Sequence, residues 1–306
     1  GDIGFTGVTV NLDAQTASGG AGNDTLVSIE RVEGSQYDDL LIGNSQYNIF
    51  FASGGNDTIV GSNDQLNFSD INYLPYGKPL TQGVTVDLKQ GQMSYALGNI
   101  KFSGITEVTG TSLNDKLIGD DQWNYLEGGL GNDTLDGGGG FLNQAGYWSA
   151  SGSVSVNLET GSSSGAEGED TLMNINGVIG GNYADTIIGN SGFNVLQGRG
   201  GDDTIDGGQG VDLANYWWAP GPVQVSLETG RSSGADGADT LINIEGILGS
   251  QYDDLLIGNA GDNSLGGQGG NDTIIGGAGT DTADYYDASG DVQVILNGTD
   301  FSTIGN

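Results

Sequence analysis

Residues 249–284 read GSQYDDLLI, GNAGDNSLG, GQGGNDTII and GGAGTDTAD when this stretch is divided into nines. Each of these four rows opens with glycine, which supplies the positive φ angles that tight turns need. The sixth place holds Asp or Asn: Asp254, Asn263, Asp272 and Asp281. The eighth place is mostly apolar: Leu256, Leu265, Ile274 and Ala283. A six-residue turn followed by a three-residue strand repeats without limit, so two rows are expected to form one coil of a flattened right-handed solenoid.

Stacked coils bring sixth-place side chains from different rows together. Successive coils lie at the strand spacing of about 4.8 Å, so we expect Asp254 and Asp272 about one strand spacing apart. Calcium binds oxygens at about 2.3–2.6 Å, which puts two oxygens on opposite sides of the ion about 5 Å apart. Magnesium prefers tighter octahedral geometry, and zinc prefers His or Cys, which this chain lacks. The spacing therefore predicts calcium between neighbouring turns, held by carboxylates and turn carbonyls.

The rows resemble the GGxGxDxUx nonapeptide of the RTX (repeats-in-toxin, hemolysin-type) calcium-binding proteins. Good matches are GGAGNDTLV at 19–27, GGLGNDTLD at 128–136, GRGGDDTID at 198–206 and GQGGNDTII at 267–275. The resemblance covers all four repeats and so most of the chain. It implies a parallel β-roll with calcium between its turns. It also implies a bacterial protein that is secreted or held at the cell surface, such as an adhesin, and that leaves the cell by type I secretion through a C-terminal signal.

A marker strand of the form V-x-V-x-L divides the chain into modules. Its leucines are Leu12, Leu88, Leu158, Leu227 and Leu296. Alternation with a period of two predicts a half-buried strand at each place, and no helical pattern of useful length appears. We therefore predict an all-β chain, a parallel β-roll or β-solenoid of four modules of about 70 residues. The predicted boundaries are 1–78, 79–150, 151–220 and 221–290, with the start of a fifth module at 291–306.

Each module has the same predicted parts: the marker strand, a Gly/Ser-rich loop, an isolated turn, a longer strand, the four rows and an aromatic exit. In the fourth module the longer strand is TLINIEGIL at 240–248. We expect it to carry the chain to the opposite edge, so that the isolated turn shares an edge with rows two and four. The fourth module then has Asp239, Asn263 and Asp281 on one edge and Asp254 and Asp272 on the other. The third module has Asp170, Asn194 and Asp212 on one edge and Asp185 and Asp203 on the other.

The first two modules carry an incomplete pattern. Leu66 and Leu142 stand at the sixth place of row four, and Ile100 stands in the isolated turn of the second module. The remaining candidate ligands are Asp24, Asp39, Asn48 and Asp57 in the first module and Asp115, Asn124 and Asp133 in the second. If each adjacent pair of Asp or Asn turns holds one ion, the four modules bind two, one, three and three ions, about nine in all.

The composition restricts the partners of the chain. It has 40 acidic residues against 7 Lys and Arg, a net charge of −33, and no Cys. Low hydrophobicity with high net charge is typical of disorder, so we expect order to depend on bound cations. Nucleic acid and direct membrane insertion are not expected, because basic patches and apolar runs of about 18 residues are absent. No signal peptide opens the chain, and a C-terminal secretion signal is expected outside these residues.

The sequence predicts a calcium-binding structural module that folds on extracellular calcium and acts as a stiff spacer or scaffold. Without His or Cys, nucleophilic pairs and His-bound zinc are excluded, and we predict no enzyme activity. The alternative is a carbohydrate-binding or accessory module of a secreted polysaccharide-active enzyme, in which aromatic exits such as Trp217 and Trp218 stack on sugars instead of plugging the seam between modules. A β-helix lyase or epimerase is a third possibility. Calcium is the expected cofactor, and a polysaccharide or another cell-surface protein is a candidate partner.

Overall fold

The structure is a computed structural model of the 306-residue chain. It describes residues 6–20, 22–51, 54–69, 73–74, 78–95, 98–286, 288 and 293. These residues contain strands and turns but no helix, which confirms the prediction of an all-β roll built from repeats. The predicted fifth module, 291–306, lies outside the described residues except for Gln293.

Most strands have three or four residues. The first sixteen are β1 Val8–Asn11, β2 Thr16–Gly19, β3 Gly22–Thr25, β4 Arg31–Glu33, β5 Leu40–Ile42, β6 Ile49–Phe51, β7 Thr58–Asn67, β8 Tyr73–Leu74, β9 Lys78–Pro79, β10 Thr85–Asp87, β11 Gln92–Tyr95, β12 Gly98–Thr109, β13 Lys116–Ile118, β14 Asn124–Glu127, β15 Thr134–Asp136 and β16 Asn143–Gly146.

The second half of the chain continues the same alternation. Its strands are β17 Val154–Asn157, β18 Ser162–Gly165, β19 Thr171–Met173, β20 Gly177–Ile179, β21 Thr186–Ile188, β22 Asn194–Gln197, β23 Thr204–Asp206, β24 Asp212–Asn215, β25 Val223–Ser226, β26 Arg231–Gly234, β27 Thr240–Ile242, β28 Gly246–Leu248, β29 Leu255–Ile257, β30 Ser264–Gly266, β31 Thr273–Ile275 and β32 Thr282–Asp284.

The chain divides into two compact units. The first contains the described residues up to Tyr147 together with Ser162–Ile175, and the second contains Trp148–Gly161 and the described residues from Asn176 onward. This division differs from the four predicted modules, whose boundaries stay a prediction.

Each unit is built from two sets of parallel strands, which we call the first and second ladders. In the second unit the first ladder contains the runs β17–β21–β23–β27 and β25–β29–β31. Its second ladder is β20–β22–β24–β28–β30–β32. In the first unit the first ladder contains β1–β5–β7–β12 and β10–β13–β15–β19, and the second is β4–β6–β7–β12–β14–β16.

The register of the rows follows the predicted coil. Leu256 pairs with Ile274, and Ile187 pairs with Ile205, each 18 residues apart. The rows contribute the three-residue strands that the nonapeptide pattern predicts, as in β29 and β31. Successive rows therefore alternate between the two ladders, and rows one and three of a module lie in the same ladder.

The predicted longer strand is two strands in most modules. In the fourth module TLINIEGIL forms β27 in the first ladder and β28 in the second, and Asn243 between them has a φ of 50°. The third module has the same break at Asn174, with a φ of 53°. In the second module the predicted longer strand is one strand, β12, which runs through both ladders. β7, which comes from rows three and four of the first module, also does so. The predicted Gly/Ser-rich loop is also partly strand, because β26 pairs antiparallel with β25.

A thin apolar core lies between the ladders of each unit. The eighth-place side chains of Ile187, Leu196 and Leu256 are fully buried. The marker strands contribute to the same core, since Val225 is 1 % exposed and Val156 is fully buried. Burial weakens in the last two rows of the fourth module, where the eighth-place residue Ile274 is half-buried and Ala283 is exposed. The core is formed by about one side chain from each short strand, so regular stacking and the turns between strands carry much of the order.

Candidate metal centre

The sixth-place side chains stack into two columns, one beside each ladder. In the first column of the second unit, the main-chain N–H of Asp185 donates to Oδ1 of Asp203 at 2.7 Å. The N–H of Asp203 in turn donates to Oδ1 of Asp239 at 3.0 Å. In the second column, the N–H of Asn194 donates to Oδ1 of Asp212 at 2.8 Å. The columns thus bring the candidate ligands together in pairs from neighbouring coils.

Ten contacts of this kind join Asp or Asn residues in the described part of the chain. The first-column pairs are Asp39–Asp57, Asp115–Asp133, Asp133–Asp170, Asp185–Asp203, Asp203–Asp239 and Asp254–Asp272. The second-column pairs are Asn48–Asp64, Asn124–Asn143, Asn194–Asp212 and Asn263–Asp281. Asp24 stands apart from them, exposed in the β2–β3 hairpin.

The predicted edge for the isolated turns is wrong. The sequence places Asp239 with Asn263 and Asp281, whereas the structure stacks Asp239 on Asp203. Asp170, which the sequence places with Asn194 and Asp212, likewise stacks on Asp133. The physical reason is the break in the longer strand. The chain passes from the first ladder to the second between β27 and β28, and it returns to the first ladder at β29. The isolated turn before β27 therefore lies on the edge of rows one and three. The predicted distribution of ions among the modules rested on the wrong edge.

Two column residues were missed because the nine-residue phase shifts in the eroded rows. Oδ1 of Asp64 accepts the N–H of Asn48 at 2.8 Å, and Leu66, predicted at the ligand place, is instead fully buried in the core. Oδ1 of Asn143 accepts the N–H of Asn124 at 3.2 Å. Both residues precede a buried residue by two positions, as regular sixth-place residues do. Measuring from the apolar residue instead of the first glycine finds them.

Glu245 is a third residue that the row pattern did not find. Its Oε2 accepts the N–H of Asp212 at 3.0 Å, and its main-chain carbonyl accepts a bond from the Asn263 side chain at 3.2 Å. Glu245 also precedes a buried residue, Ile247, by two positions. It therefore continues the second column between two sets of rows.

Both carboxylate oxygens of the row-one aspartates accept hydrogen bonds from the protein. Oδ1 of Asp254 accepts the N–H of Val223 and the hydroxyl of Ser250, both at 2.8 Å. Its Oδ2 accepts the N–H of Ser250 at 2.5 Å. Asp39 and Asp115 have equivalent donors. These side chains fix the turn to the marker strand whether or not a cation is bound.

The aspartates of row three are not saturated. Asp203 is 1 % exposed, and its Oδ2 has no hydrogen-bond partner. Burial raises the pKa of Asp203 to about 8, against the lowering effect of the hydrogen bond from Asp185. The negative charge of Asp239 raises that pKa further. A buried carboxylate without a partner is costly, so this oxygen needs either a proton or a cation.

Three further column aspartates share this property. The Oδ2 atoms without a partner belong to Asp57, Asp133 and Asp212. Burial raises the pKa of Asp133 to about 8 and the pKa values of Asp57 and Asp212 to about 6. The unsatisfied oxygens thus recur along both columns, which indicates a property of the repeat and not of one turn.

The first glycine of the row makes room for the carboxylate. A Cβ at Gly198 would lie 2.1 Å from Oδ2 of Asp203, and one at Gly267 would lie 2.1 Å from Oδ2 of Asp272. The aspartate side chain therefore folds back over its own glycine. Neither glycine has a positive φ angle, which these rows have instead at Gly201 and Gly270 of the fourth place. The contact with the carboxylate, and not the conformation of the turn, is therefore what requires glycine at the first place.

A second, outer set of polar contacts was not predicted. Oδ1 of Asp253, at the fifth place, accepts the N–H of Asn271 at 2.7 Å, and Oδ1 of Asp262 accepts the N–H of Thr280 at 2.7 Å. These side chains are exposed. The Asn-Asp and Asp-Asp pairs in the rows thus have two tasks, since the fifth place joins coils at the surface and the sixth place faces the column.

The aromatic exits behave in two ways. Tyr147 and Tyr216 are each 2 % exposed and pack inside the roll, as the plug interpretation expects. Trp218 is 65 % exposed and Tyr286 is 92 % exposed. Trp148 is half-exposed, with the guanidinium of Arg199 5.8 Å from its ring centre. In the second and third modules the tyrosine that begins the exit is a core residue, whereas in the fourth module the first tyrosine, Tyr285, is 47 % exposed.

The columns fit calcium by the chemistry of their donors. In the described residues no three Asp, Glu, His or Cys side chains converge on one point, so carboxylates alone do not make a site. Calcium accepts main-chain carbonyls together with carboxylates, and it tolerates irregular geometry. The unsatisfied Oδ2 atoms lie buried in turns that stack on one another. Carboxylate oxygens together with main-chain carbonyls of the turns are the donor set that calcium takes.

Fold and site together define a metal-binding β-solenoid of repeated nonapeptides. The family described as the RTX calcium-binding nonapeptide repeat (4 copies) matches residues 11–28, 33–65, 109–141, 179–214 and 248–283, slightly more than half of the chain. The chain belongs to this family, whose repeats bind calcium and form a structural module. No curated protein matches the chain. RTX repeats are typical of secreted bacterial proteins, and none of the described residues forms a helix long and apolar enough to cross a membrane.

Proposed function

We propose that the chain is a calcium-dependent structural module of a secreted or cell-surface bacterial protein. It folds where calcium is plentiful and then serves as a stiff spacer or scaffold. The observation that carries the proposal is the unsatisfied, buried Oδ2 of Asp203 and its equivalents Asp57, Asp133 and Asp212. These oxygens make the metal-free fold unfavourable at neutral pH and the calcium-bound fold favourable.

Ion binding and folding are coupled in this proposal. The columns exist only when the coils stack, so the free energy of ion binding contributes to the free energy of folding. Extracellular calcium modules bind with a Kd of about 10⁻⁴–10⁻³ M. The net charge of −33 opposes compaction without cations. A chain made in a compartment with little free calcium stays unfolded there and folds after export.

The candidate ligands of this function are the Asp and Asn residues that the sequence predicts at the turns, extended by Asp64 and Asn143. One ion per stacked pair corresponds to ten pairs in the described residues, in place of the total of about nine that the sequence predicts. Asp24 contributes no pair in this arrangement. Mass spectrometry under native conditions with increasing calcium counts the ions directly.

Far-UV circular dichroism in chelator and then in millimolar calcium tests the function. We expect a cooperative gain of β signal with calcium and none with an equal concentration of magnesium, because magnesium requires tighter octahedral geometry. A β signal that is the same in chelator and in calcium would show that the core is stable alone and would refute calcium-dependent folding.

A second candidate function rests on the exposed aromatic side chains. Trp218 is 65 % exposed and Trp148 is 47 % exposed, so both are accessible to a sugar ring. In this alternative the chain is a carbohydrate-binding or accessory module of a polysaccharide-active enzyme. Titration of the folded, calcium-bound protein with uronate polymers, followed by tryptophan fluorescence, distinguishes the two functions. Saturable quenching that is lost in Trp218→Ala favours carbohydrate binding, whereas an unchanged spectrum favours the purely structural module.

A further inference from the structure

The isolated turn at residues 234–239, GADGAD, contains two acidic residues, Asp236 at its third place and Asp239 at its sixth. The turn stacks closely on an earlier one. A Cβ at Gly237 would lie 1.6 Å from the carbonyl oxygen of Gly201. The N–H of Ala238 donates to Oδ1 of Asp202 at 3.0 Å. The two carboxylates of the isolated turn therefore lie over the turn that contains Asp203.

The sixth-place residue of this turn accepts hydrogen bonds on both carboxylate oxygens, and its Oδ2 has two donors. Oδ1 of Asp239 accepts the N–H of Asp203 at 3.0 Å. Its Oδ2 accepts two hydroxyl donors, from Ser232 at 2.7 Å and from Tyr216 at 2.9 Å. A carboxylate oxygen with two donors has used its in-plane lone pairs. Asp239 thus joins the turn, β26 and the aromatic exit by hydrogen bonds.

The third-place residue is not saturated. Asp236 is 5 % exposed, and its Oδ2 has no hydrogen-bond partner. Oδ2 of Asp203, in the turn on which it stacks, also has none. Two buried acidic side chains in stacked turns thus each have an unsatisfied oxygen. The positive charge of Arg199 acts on Asp236, but Arg199 donates no hydrogen bond to Oδ2 of Asp236, so a cation that contacts both oxygens is favourable.

The first unit repeats the arrangement. Oδ2 of Asp170 accepts the hydroxyls of Ser163 at 2.7 Å and Tyr147 at 3.1 Å. Oδ2 of Asp133, in the turn on which Asp170 stacks, has no partner. Glu167 takes the place of Asp236 and is 5 % exposed. Both units therefore keep a buried acid at the third place of the isolated turn and saturate the sixth.

We propose that each isolated turn holds a calcium ion through its third-place acid, Asp236 with Asp203 and Glu167 with Asp133. The sixth-place residues Asp239 and Asp170 then anchor the turn by hydrogen bonds and are not its principal ligands. In the nonapeptide pattern the acidic ligand stands at the sixth place of the turn. In the isolated turns the third-place acid takes over that role. The inference rests on the proposed calcium-binding function and specifies which residues of the isolated turns perform it.

Crystals of the whole chain grown with calcium give a direct test on the unaltered protein. An anomalous difference map is expected to contain a peak about 2.3–2.6 Å from Oδ2 of Asp236. A peak at Oδ2 of Asp239 with none at Asp236 would overturn the inference, and so would the absence of a peak at both when peaks occur elsewhere along the columns.

Isothermal titration with calcium chloride tests the same point in solution. We expect Asp236→Asn to bind one ion fewer than the unaltered chain. Asp239→Asn is expected to bind the full number but to fold at a higher calcium concentration. Asp202→Asn is the matched control, because it removes the same charge from an exposed neighbour whose Oδ1 remains an acceptor for Ala238. A full complement of ions in Asp236→Asn would refute the inference.

The first unit supplies an independent variant. Glu167→Gln is expected to lose one ion, in the same way as Asp236→Asn. If both variants fail to fold, the position of the anomalous peak decides the question. A chain that binds no calcium at all contradicts the proposed function, whereas normal binding by the unaltered chain with no loss in Asp236→Asn and Glu167→Gln contradicts only this inference.

Discussion

The main-chain N–H of Asp185 donates to Oδ1 of Asp203, 18 residues further along the chain, at 2.7 Å, while Oδ2 of Asp203 has no partner. One oxygen of the carboxylate thus joins two coils, and the other is left buried in the turn. The same division occurs between Asp115 and Asp133. The polypeptide supplies the stacking contact, and a proton or a cation supplies the charge compensation.

The negative charge of Asp203 is expected to be needed for calcium binding but not for the hydrogen bond from the N–H of Asp185. In Asp203→Asn the side-chain oxygen still accepts the N–H of Asp185, so the stacking contact survives. A site with a Kd of about 10⁻⁴ M contributes about 1.4 kcal/mol in about 1 mM calcium. We expect the variant to lose stability of about that size in calcium, as measured by thermal denaturation followed by circular dichroism. Asp202→Asn is the control, and an equal loss there would show that net charge alone is responsible.

The metal-free fold is expected to be more stable in acid than at neutral pH. The pKa values of Asp133 and Asp203 are raised to about 8 in the folded chain, and those of Asp57 and Asp212 to about 6, from an ordinary value of 3.8. A raised folded pKa means that the folded state binds more protons than the unfolded one. Its stabilising contribution is complete below the unfolded pKa and is lost as the pH rises through the folded pKa.

In metal-depleted buffer we therefore expect the midpoint of urea unfolding to fall between about pH 4 and pH 8. The loss is steepest below about pH 6, where all four aspartates hold extra protons in the folded state, and shallower above it, where only Asp133 and Asp203 still do. Saturating calcium should weaken this dependence, because the ion replaces the protons. Greater metal-free stability at about pH 8 than at about pH 5 would contradict the assignment of unsatisfied carboxylates to the columns.

The glycine that opens a row is expected to be essential because the aspartate side chain folds over it. Gly198→Ala places a Cβ 2.1 Å from Oδ2 of Asp203, so the carboxylate must move away from its column. We expect the calcium concentration needed for folding to rise several-fold. Gly200→Ala, in the same turn, is the matched control, since its Cβ would meet nothing closer than 3.5 Å. Equal calcium midpoints in the two variants would refute this explanation.

The thin core is expected to be sensitive to cavities. Leu256 is fully buried between the ladders, whereas Ile275, at the ninth place of its row, is 47 % exposed. Leu256→Ala should lower the free energy of unfolding by about 2–5 kcal/mol, and Ile275→Ala by less than about 1 kcal/mol. Urea denaturation in saturating calcium measures both. A similar loss in the two variants would show that the eighth place has no special position in the core.

The repeat determines most of the fold from sequence alone. Glycine at the first place, Asp or Asn at the sixth and an apolar residue at the eighth are sufficient for a six-residue turn and a three-residue strand, and β29 and β31 have those bounds. Rows 18 residues apart pair, as Leu256 and Ile274 do. This succeeds because the spacing of local turns fixes which residues meet on the next coil, without a long-range choice of topology.

Other features depended on the tertiary structure. The break at Asn243 puts the isolated turn on the edge of Asp203, because the number of crossings between ladders, and not the length of a segment, decides the edge. The shifted rows place Asp64 and Asn143 in the column although neither is at the sixth place. Which carboxylate oxygens remain unsatisfied also depended on distant donors, such as the hydroxyl of Tyr216, 23 residues from Asp239. The sequence by itself determined the repeating coil and its kind of ion, and the packing of coils decided which oxygens are left for that ion.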